Sequence, residues 1–288
     1  MELLSILIVL GLLQLWGSGK PFQKDHWFSH LAETVGNWVD GYQIRVLLTV
    51  AIPVFGLWFF VEVVEDWLFG LLSLVIYVGV LLYSLGRGDF SDVVQSYLAK
   101  WNHGNFESAY MAAQGIGDFS QHDDIENNQS LHEHVRRAVF YQGYERWFAV
   151  VFWFLVLGPV GALMYRLCYL AGRSKAFAEN EQQFALMLLH YLDFLPARFL
   201  GFAFSLTGNF MSGFNSWLDN LFDNQPIPVM LDNIGVEALY NDNEVRPVPE
   251  NDQQCIDLGR QELSAVQGLL SRSVVCWLIV IAILEIFT

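Results

Sequence analysis

Ile44–Val64 reads IRVLLTVAIPVFGLWFFVEVV, and after only Glu65 and Asp66 the chain continues as Trp67–Leu85, WLFGLLSLVIYVGVLLYSL. A helix needs about 20 mostly apolar residues to cross a bilayer. Both runs meet or approach that length. With two acids between them they read as a tight helical hairpin with an acidic tip, and Pro53 bends its first arm. Three more runs are apolar: Leu3–Trp16, Trp147–Leu170 and Ser273–Phe287. A sixth, Phe184–Leu206, carries His190, Asp193, Pro196 and Arg198 within it. The fold expected is therefore all-α: a polytopic integral membrane protein with five to six apolar helices and short helices in the connecting loops.

Composition agrees. Of 288 residues 54% are hydrophobic and 16% charged, against about 25% charged in soluble domains. Mean hydropathy is +0.35. Such a chain needs lipid as a second solvent, so the bilayer is its first partner. Disorder and disulfide-scaffold classes are excluded. A net charge of −15 argues against nucleic acid, whose binding rests on Lys and Arg meeting phosphates. Cys168, Cys255 and Cys276 have no metal or redox spacing. Leu3–Trp16 lacks the basic start and small-residue cleavage site of a signal peptide and is expected to be a retained helix. Trp16, Trp67, Trp147 and Trp277 fall near run ends, at headgroup depth.

The expected organisation is a single membrane domain over 1–288 with polar loops 86–146 and 209–272. In the first, DVVQSYLAKW and NFESAYMAAQGI read as amphipathic helices, and Ser130-x-x-Glu133 reads as a capping box. The second holds most of the charge: residues 211–270 carry ten acids and two Arg. That acidic stretch is expected to stand off anionic headgroups as a solvated loop and to meet any soluble protein partner. If all six runs span, eleven basic residues fall on the side of the two polar loops and only Arg166, Arg173 and Lys175 on the other, which places those loops in the cytoplasm. If the sixth run only dips into the membrane, the acidic stretch changes sides.

Ionisable groups in hydrocarbon are costly and face a cavity or a partner, so His190-Tyr-Leu-Asp193-Phe-Leu-Pro196-Ala-Arg198 stands out. Pro196 cannot continue the helical hydrogen bonds, and a helix break is expected there. His190 and Asp193 share a helix face, and Asp193 and Arg198 can pair across the break. Two readings stay open: a structural ion pair, or a polar pocket at the membrane face. Tyr144-Glu145-Arg146, with Arg136 and Arg137 earlier, is either a second part of that pocket or an Arg anchor at the membrane surface. His26 and His30 have the i,i+4 spacing of a helical metal site, but no Glu-x-x-His follows and no metal is expected. His122-Asp123-Asp124 reads as a solvated loop. Phosphate loops, dinucleotide motifs and nucleophile elbows are absent from the sequence, so no cofactor and no catalytic residue is assigned.

The order of these features resembles one family. The His190–Arg198 stretch is similar to the His, Leu-Asp-aromatic-aliphatic-Pro-x-Arg region of AmpE proteins. Met1–His26, Trp101–Met111 and Arg137–Arg166, with Gly158-Pro159-x-Gly-x-x-x-Tyr165-Arg166, are similar as well. AmpE proteins are inner-membrane proteins linked to β-lactamase regulation. They in turn resemble the cobinamide-phosphate synthases (CbiB/CobD), whose Pro-Gly-Ala-x-x-Tyr, Asn-aromatic-x-Pro-Ala-Arg and Pro-rich segments are echoed by Pro159–Tyr165, Asp193–Arg198 and Arg246-Pro-Val-Pro249. This chain has Asp193 where the synthases have Asn, His190 where they have Asp, and Glu145-Arg146 in place of Glu-Asn-Thr.

The resemblance implies a multi-pass inner-membrane regulator acting in β-lactamase induction and peptidoglycan recycling. Arg137, Glu145, Arg146, His190, Asp193 and Arg198 would form its site for an anionic small molecule, a nucleotide or a cell-wall fragment, and binding would bias the break at Pro196. Two alternatives remain: a synthase-type membrane enzyme forming an amide bond, with Glu145 or Asp193 as acid/base and Arg groups holding a phosphate, or a permease.

Overall fold

The structure, a computed structural model, describes residues 1–16, 23–64, 71–86, 90–117, 127–223, 225–240, 249 and 251–287. Among these the secondary structure is helical throughout, with no strand. The Glu65–Asp66 tip, His122–Asp124 and residues 246–248 lie outside the described residues. In chain order the helices are α1 (Glu2–Trp16), α2 (His26–Gly36), α3 (Tyr42–Val64), α4 (Leu71–Ser84), α5 (Phe90–Asn102), α6 (Phe106–Ala113), α7 (Asn128–Gly143), α8 (Ala149–Ala171), α9 (Glu179–Thr207), α10 (Phe210–Asn220), α11 (Ile227–Leu239) and α12 (Asp252–Phe287). A π-helical turn, Tyr144–Phe148, joins α7 to α8. Four helical stretches are long and apolar enough to cross a membrane: α3, the run through α7 and α8, α9 and α12. Helices α1 and α4 are shorter apolar helices. The sixth run thus belongs to a 29-residue helix of spanning length.

The chain divides into two compact units. One comprises residues 1–88 and 146–196. In it α4 packs on α1 and α8, and α3 packs on α2 and α8. Phe55, Trp58, Phe59 and Phe60 of α3 are exposed, which suits a helix solvated by acyl chains. An apolar groove of about 460 Å³ runs between α3, α8 and α9, lined by residues such as Val50, Phe55, Cys168 and Leu188. The polar end of α3 is tied down by Arg45, which donates to Glu181 at 2.9 Å and to the carbonyls of Ala32 and Ala176. Glu181 in turn accepts from the Ala178 amide at 2.7 Å.

The two prolines of the apolar runs behave differently. Within α8 the backbone breaks at Gly158, with φ 64° and ψ −155°, just before Pro159. That region is open almost only to glycine, so the bend expected at Gly158-Pro159 is present. At Pro196 the expected break is absent: α9 runs on from Glu179 to Thr207 with Pro196 inside it. A helical proline deprives the carbonyl four residues earlier of its donor. Here that carbonyl is Leu192, and the Trp153 indole N–H supplies the bond at 3.2 Å. The missing donor is replaced from the neighbouring helix, and α9 stays continuous.

The other unit comprises residues 89–145 and 197–288. Here α7 packs on α11 and α12, α11 on α10, and α5 on α6 and α12. The short amphipathic helices expected between spans are α5, α6 and α7. The capping box of α7 stands three residues earlier than expected. Asn127 accepts from the Ser130 amide at 2.8 Å, and the Ser130 hydroxyl accepts from the Asn127 amide at 3.2 Å. Asn caps as well as Ser, which leaves Glu133 to take a bond from Gln129 at 3.2 Å.

Two outcomes test this account of the prolines. Trp153→Phe should destabilise the protein in detergent by about 1–3 kcal/mol, the usual cost of a buried carbonyl left without a donor. Pro196→Ala restores an amide at that carbonyl, so the same Trp153 change should cost much less in its presence. Thermal unfolding of the single and double variants measures the difference.

Candidate functional site

In α7, Leu131, Val135 and Val139 are buried at helical spacing. His132 and Arg136 are i,i+4 neighbours and share a face. Helix α11 presents Asp232 within Ile-Pro-Val-Met-Leu-Asp-Asn-Ile, a turn whose other residues apart from Asn233 are apolar, and Asp232 is buried. Helix α12 brings Glu262 from its polar first half, well before the apolar run that begins at Ser273.

These groups form one ionic network. Arg136 meets Asp232 through two bonds, Nε to Oδ1 at 2.8 Å and Nη2 to Oδ2 at 3.0 Å. Its Nη1 donates to Glu262 Oε1 at 2.9 Å. The other Glu262 oxygen lies 3.0 Å from His132 Nε2, and the Tyr240 hydroxyl is 3.4 Å from Oε1. Arg137 adds a looser contact, Nε to Asp232 Oδ2 at 3.9 Å. Two-point pairing of a guanidinium with a carboxylate is the strong form of this interaction. Burial pushes the Glu262 carboxyl up. The hydrogen bond from His132 and the charge of Arg136 outweigh it and hold Glu262 below the ordinary glutamate range. Stability from this group is therefore present at neutral pH and lost as the pH falls through the lowered value.

Aromatic packing fixes the histidine. Trp101 is fully buried, its ring 5.2 Å from that of His132, and its indole N–H donates to the Ile256 carbonyl at 3.3 Å. Gly259 makes the approach possible: a Cβ there would lie 2.8 Å from Trp101 Nε1 and 3.0 Å from His132 Nδ1. His132 Nδ1 is buried without a hydrogen-bond partner. Beside the network opens a cavity of about 200 Å³, lined by Gln129, His132, Glu133, Arg136, Tyr240 and Glu262 among others. Chemically it offers a histidine–carboxylate pair and a tethered guanidinium. The described residues contain no group of three or more His, Cys, Asp or Glu able to hold a metal.

The residues singled out from sequence fall in both units. Arg137, Glu145 and Arg198 belong to the unit that holds the network, and Arg146, His190 and Asp193 to the other. Arg137 touches the network through Asp232. Glu145 is buried and lies 3.4 Å from Gln142 Nε2. Arg146 accepts a bond from the Gly86 amide at its carbonyl. A Cβ at Gly86 would lie 2.1 Å from the Arg146 side chain. His190 stands 6.0 Å ring to ring from Tyr191. Asp193 is buried and accepts from the Tyr165 hydroxyl at 2.8 Å. Arg198 donates to the carbonyls of Leu221 and Asp223. Sequence reasoning did not single out His132, Asp232 or Glu262. The one signal available was Asp232, an acid inside a largely apolar helical turn.

Removing one partner of a buried ion pair leaves the other charge unsatisfied, at about 3–5 kcal/mol. Asp232→Ala should therefore lower stability by that order, whereas Arg137→Ala, whose contact is long, should cost under about 1 kcal/mol. Glu262→Gln should also flatten the acid limb of the stability–pH profile. Chemical denaturation in detergent across pH reads all three.

A family model described as regulatory signalling modulator protein AmpE matches residues 1–242. That stretch includes His132, Arg136, Arg137 and Asp232, while Glu262 lies beyond it. The cobalamin biosynthesis protein CobD of Chromobacterium violaceum is 27% identical over 161 residues, which is 51% of this chain and 48% of CobD. The chain thus spans about half the length of that curated relative. No solved structure matches. With the match running through α11, the chain belongs to the AmpE family of regulatory signalling modulator proteins.

Proposed function

We propose that this multi-pass membrane protein is an inner-membrane regulator acting in β-lactamase induction and peptidoglycan recycling, and that it responds to an anionic small molecule, a nucleotide or a cell-wall fragment. The family match supports a regulatory role. The basic residues favour cytoplasmic placement of both polar stretches, and the acidic stretch 211–270 is proposed to meet a soluble partner through its solvated part.

Arg137 is the observation that carries the ligand. Its side chain is about a third exposed, yet its Nε is buried without a hydrogen bond and lies 3.9 Å from Asp232. Asp232 is already neutralised by Arg136 through two short bonds. An incoming phosphate or carboxylate can therefore engage Arg137 without stripping Asp232 of its counter-charge. Helix α7, which carries Arg137, leads through the Tyr144–Phe148 turn with Glu145 and Arg146 into the apolar α8. Such π-turns occur often at functional positions. A ligand shifts a protein only by its difference in affinity for two states, and here the difference would lie in the Arg137–Asp232 contact. Glu145, Arg146, His190, Asp193 and Arg198 are the other residues proposed, each by itself, to matter for the ligand response.

A second reading has one observation in its favour. The His132–Glu262 pair opens on a cavity, and CobD is a relative. A synthase-type membrane enzyme would use such a pair for proton transfer.

Arg137→Ala and Arg198→Ala, expressed at wild-type levels, should reduce β-lactamase induction by inducing antibiotic at least several-fold. Unchanged induction in both variants would sink the ligand-response proposal. In parallel the chain should fail to rescue a strain lacking cobinamide-phosphate synthase. Rescue that disappears on His132→Ala would instead establish the enzyme.

A further inference from the structure

Helix α10 is built inside out for a helix in water. Its protein-facing side is small or polar: Ser212, Gly213 and Asn220 are buried. Its outward side carries bulky apolar residues, with the exposed Asn215 and Asp219 along one edge. Phe210 is 50% exposed, Met211 62%, Leu218 47%, and Phe222 just beyond the helix 89%. Gly213 lets the helix press close, since a Cβ there would lie 3.1 Å from the Ser205 backbone and 3.2 Å from Ala238 Cβ. Water rewards the opposite arrangement. Lipid does not penalise this one, and small residues at helix contacts are its usual accompaniment.

Three further observations agree. Phe210, Phe214 and Trp217 form a stacked row, with centroids 5.3 and 5.6 Å apart, continued by Phe202 of α9. Trp, here Trp217, is enriched where a bilayer meets water. The carbonyls of the turn that follows α10 are not left to solvent: Arg198, itself buried, donates to the Leu221 carbonyl at 2.9 Å and to the Asp223 carbonyl at 2.8 Å. In water those carbonyls need no such donor, but at membrane depth they do. At the other end Arg272, exposed, donates its Nε to the Thr207 carbonyl at 3.0 Å. A long cationic side chain there can hold its remaining donors at headgroup level.

We propose that α10 lies in the bilayer interface as an amphipathic anchor, with Phe210, Met211, Leu218 and Phe222 immersed in lipid. Eleven residues make about 16 Å of helix, half the hydrocarbon thickness of about 30 Å, so α10 lies along or dips into one leaflet. Phe199 and Leu206 of the apolar α9 are exposed as well, and Phe202 between them packs on Phe214 and Trp217 of α10, which makes lipid the occupant. The first part of the acidic stretch is then membrane-bound, and the solvated part begins after α10.

The test uses the full chain with Cys168, Cys255 and Cys276 replaced by Ser, reconstituted in phosphatidylcholine–phosphatidylglycerol vesicles. Single cysteines at Met211, Leu218 and Phe222 carry a nitroxide label, with Asp257 as the aqueous reference. Labels at the three apolar positions should collide with oxygen at least several-fold more, relative to a water-soluble nickel chelate, than the label at Asp257. Collision ratios equal to those at Asp257 would overturn the proposal. So would spin–spin broadening at these positions that vanishes on dilution with unlabelled chain, because it would identify a second copy as the occupant.

Discussion

The unit that carries the polar stretches depends on one arginine. Arg136 joins α7 to α11 through Asp232 and to α12 through Glu262. A guanidinium held by two carboxylates through three donors is fixed in orientation, and Glu262 passes the constraint on to His132. The geometry then asks for Trp101 against the imidazole and for glycine at position 259. Burying charges is worthwhile only when geometry is good and the remaining lone pairs are met. The network meets that condition except at His132 Nδ1 and Arg137 Nε. Those two atoms mark where the site has chemical capacity left.

The other unit solves a different problem. Its spanning helices expose apolar side chains such as Phe55, Trp58 and Phe59, so backbone satisfaction constrains what is allowed there. The break at Gly158 sits where the sequence offers Gly followed by Pro. The polar end of α3 is closed by Arg45, whose donors go to Glu181 and to the carbonyls of Ala32 in α2 and Ala176 in the turn before α9. Both units use arginine for the same reason: five donors in a plane can serve several acceptors at once.

Much of the architecture was legible because apolar run length is a direct physical signal. Ile44–Val64, Trp147–Leu170, Phe184–Leu206 and Ser273–Phe287 all fall within described helices. What local reading missed were partnerships. A proline predicts a lost hydrogen bond, and nothing near Pro196 in sequence says that Trp153 replaces it. Ser130-x-x-Glu133 obeys a capping pattern, yet Asn127 fits the cap equally well and the helix starts there. His132, Asp232 and Glu262 come from three helices separated by long intervals, so no spacing rule could gather them. The outward apolar face of α10 was hidden inside a stretch whose net charge described only its later part.

The Trp153–Leu192 bond has a consequence for how this chain can change. Positions 153 and 196 lie on different helices and far apart in sequence, yet they share one carbonyl. A proline at 196 is tolerable only while a donor stands at 153, and an indole at 153 has its polar atom satisfied only while that carbonyl is free. The two positions are therefore a single inherited choice, and homologues should be found with both or with neither.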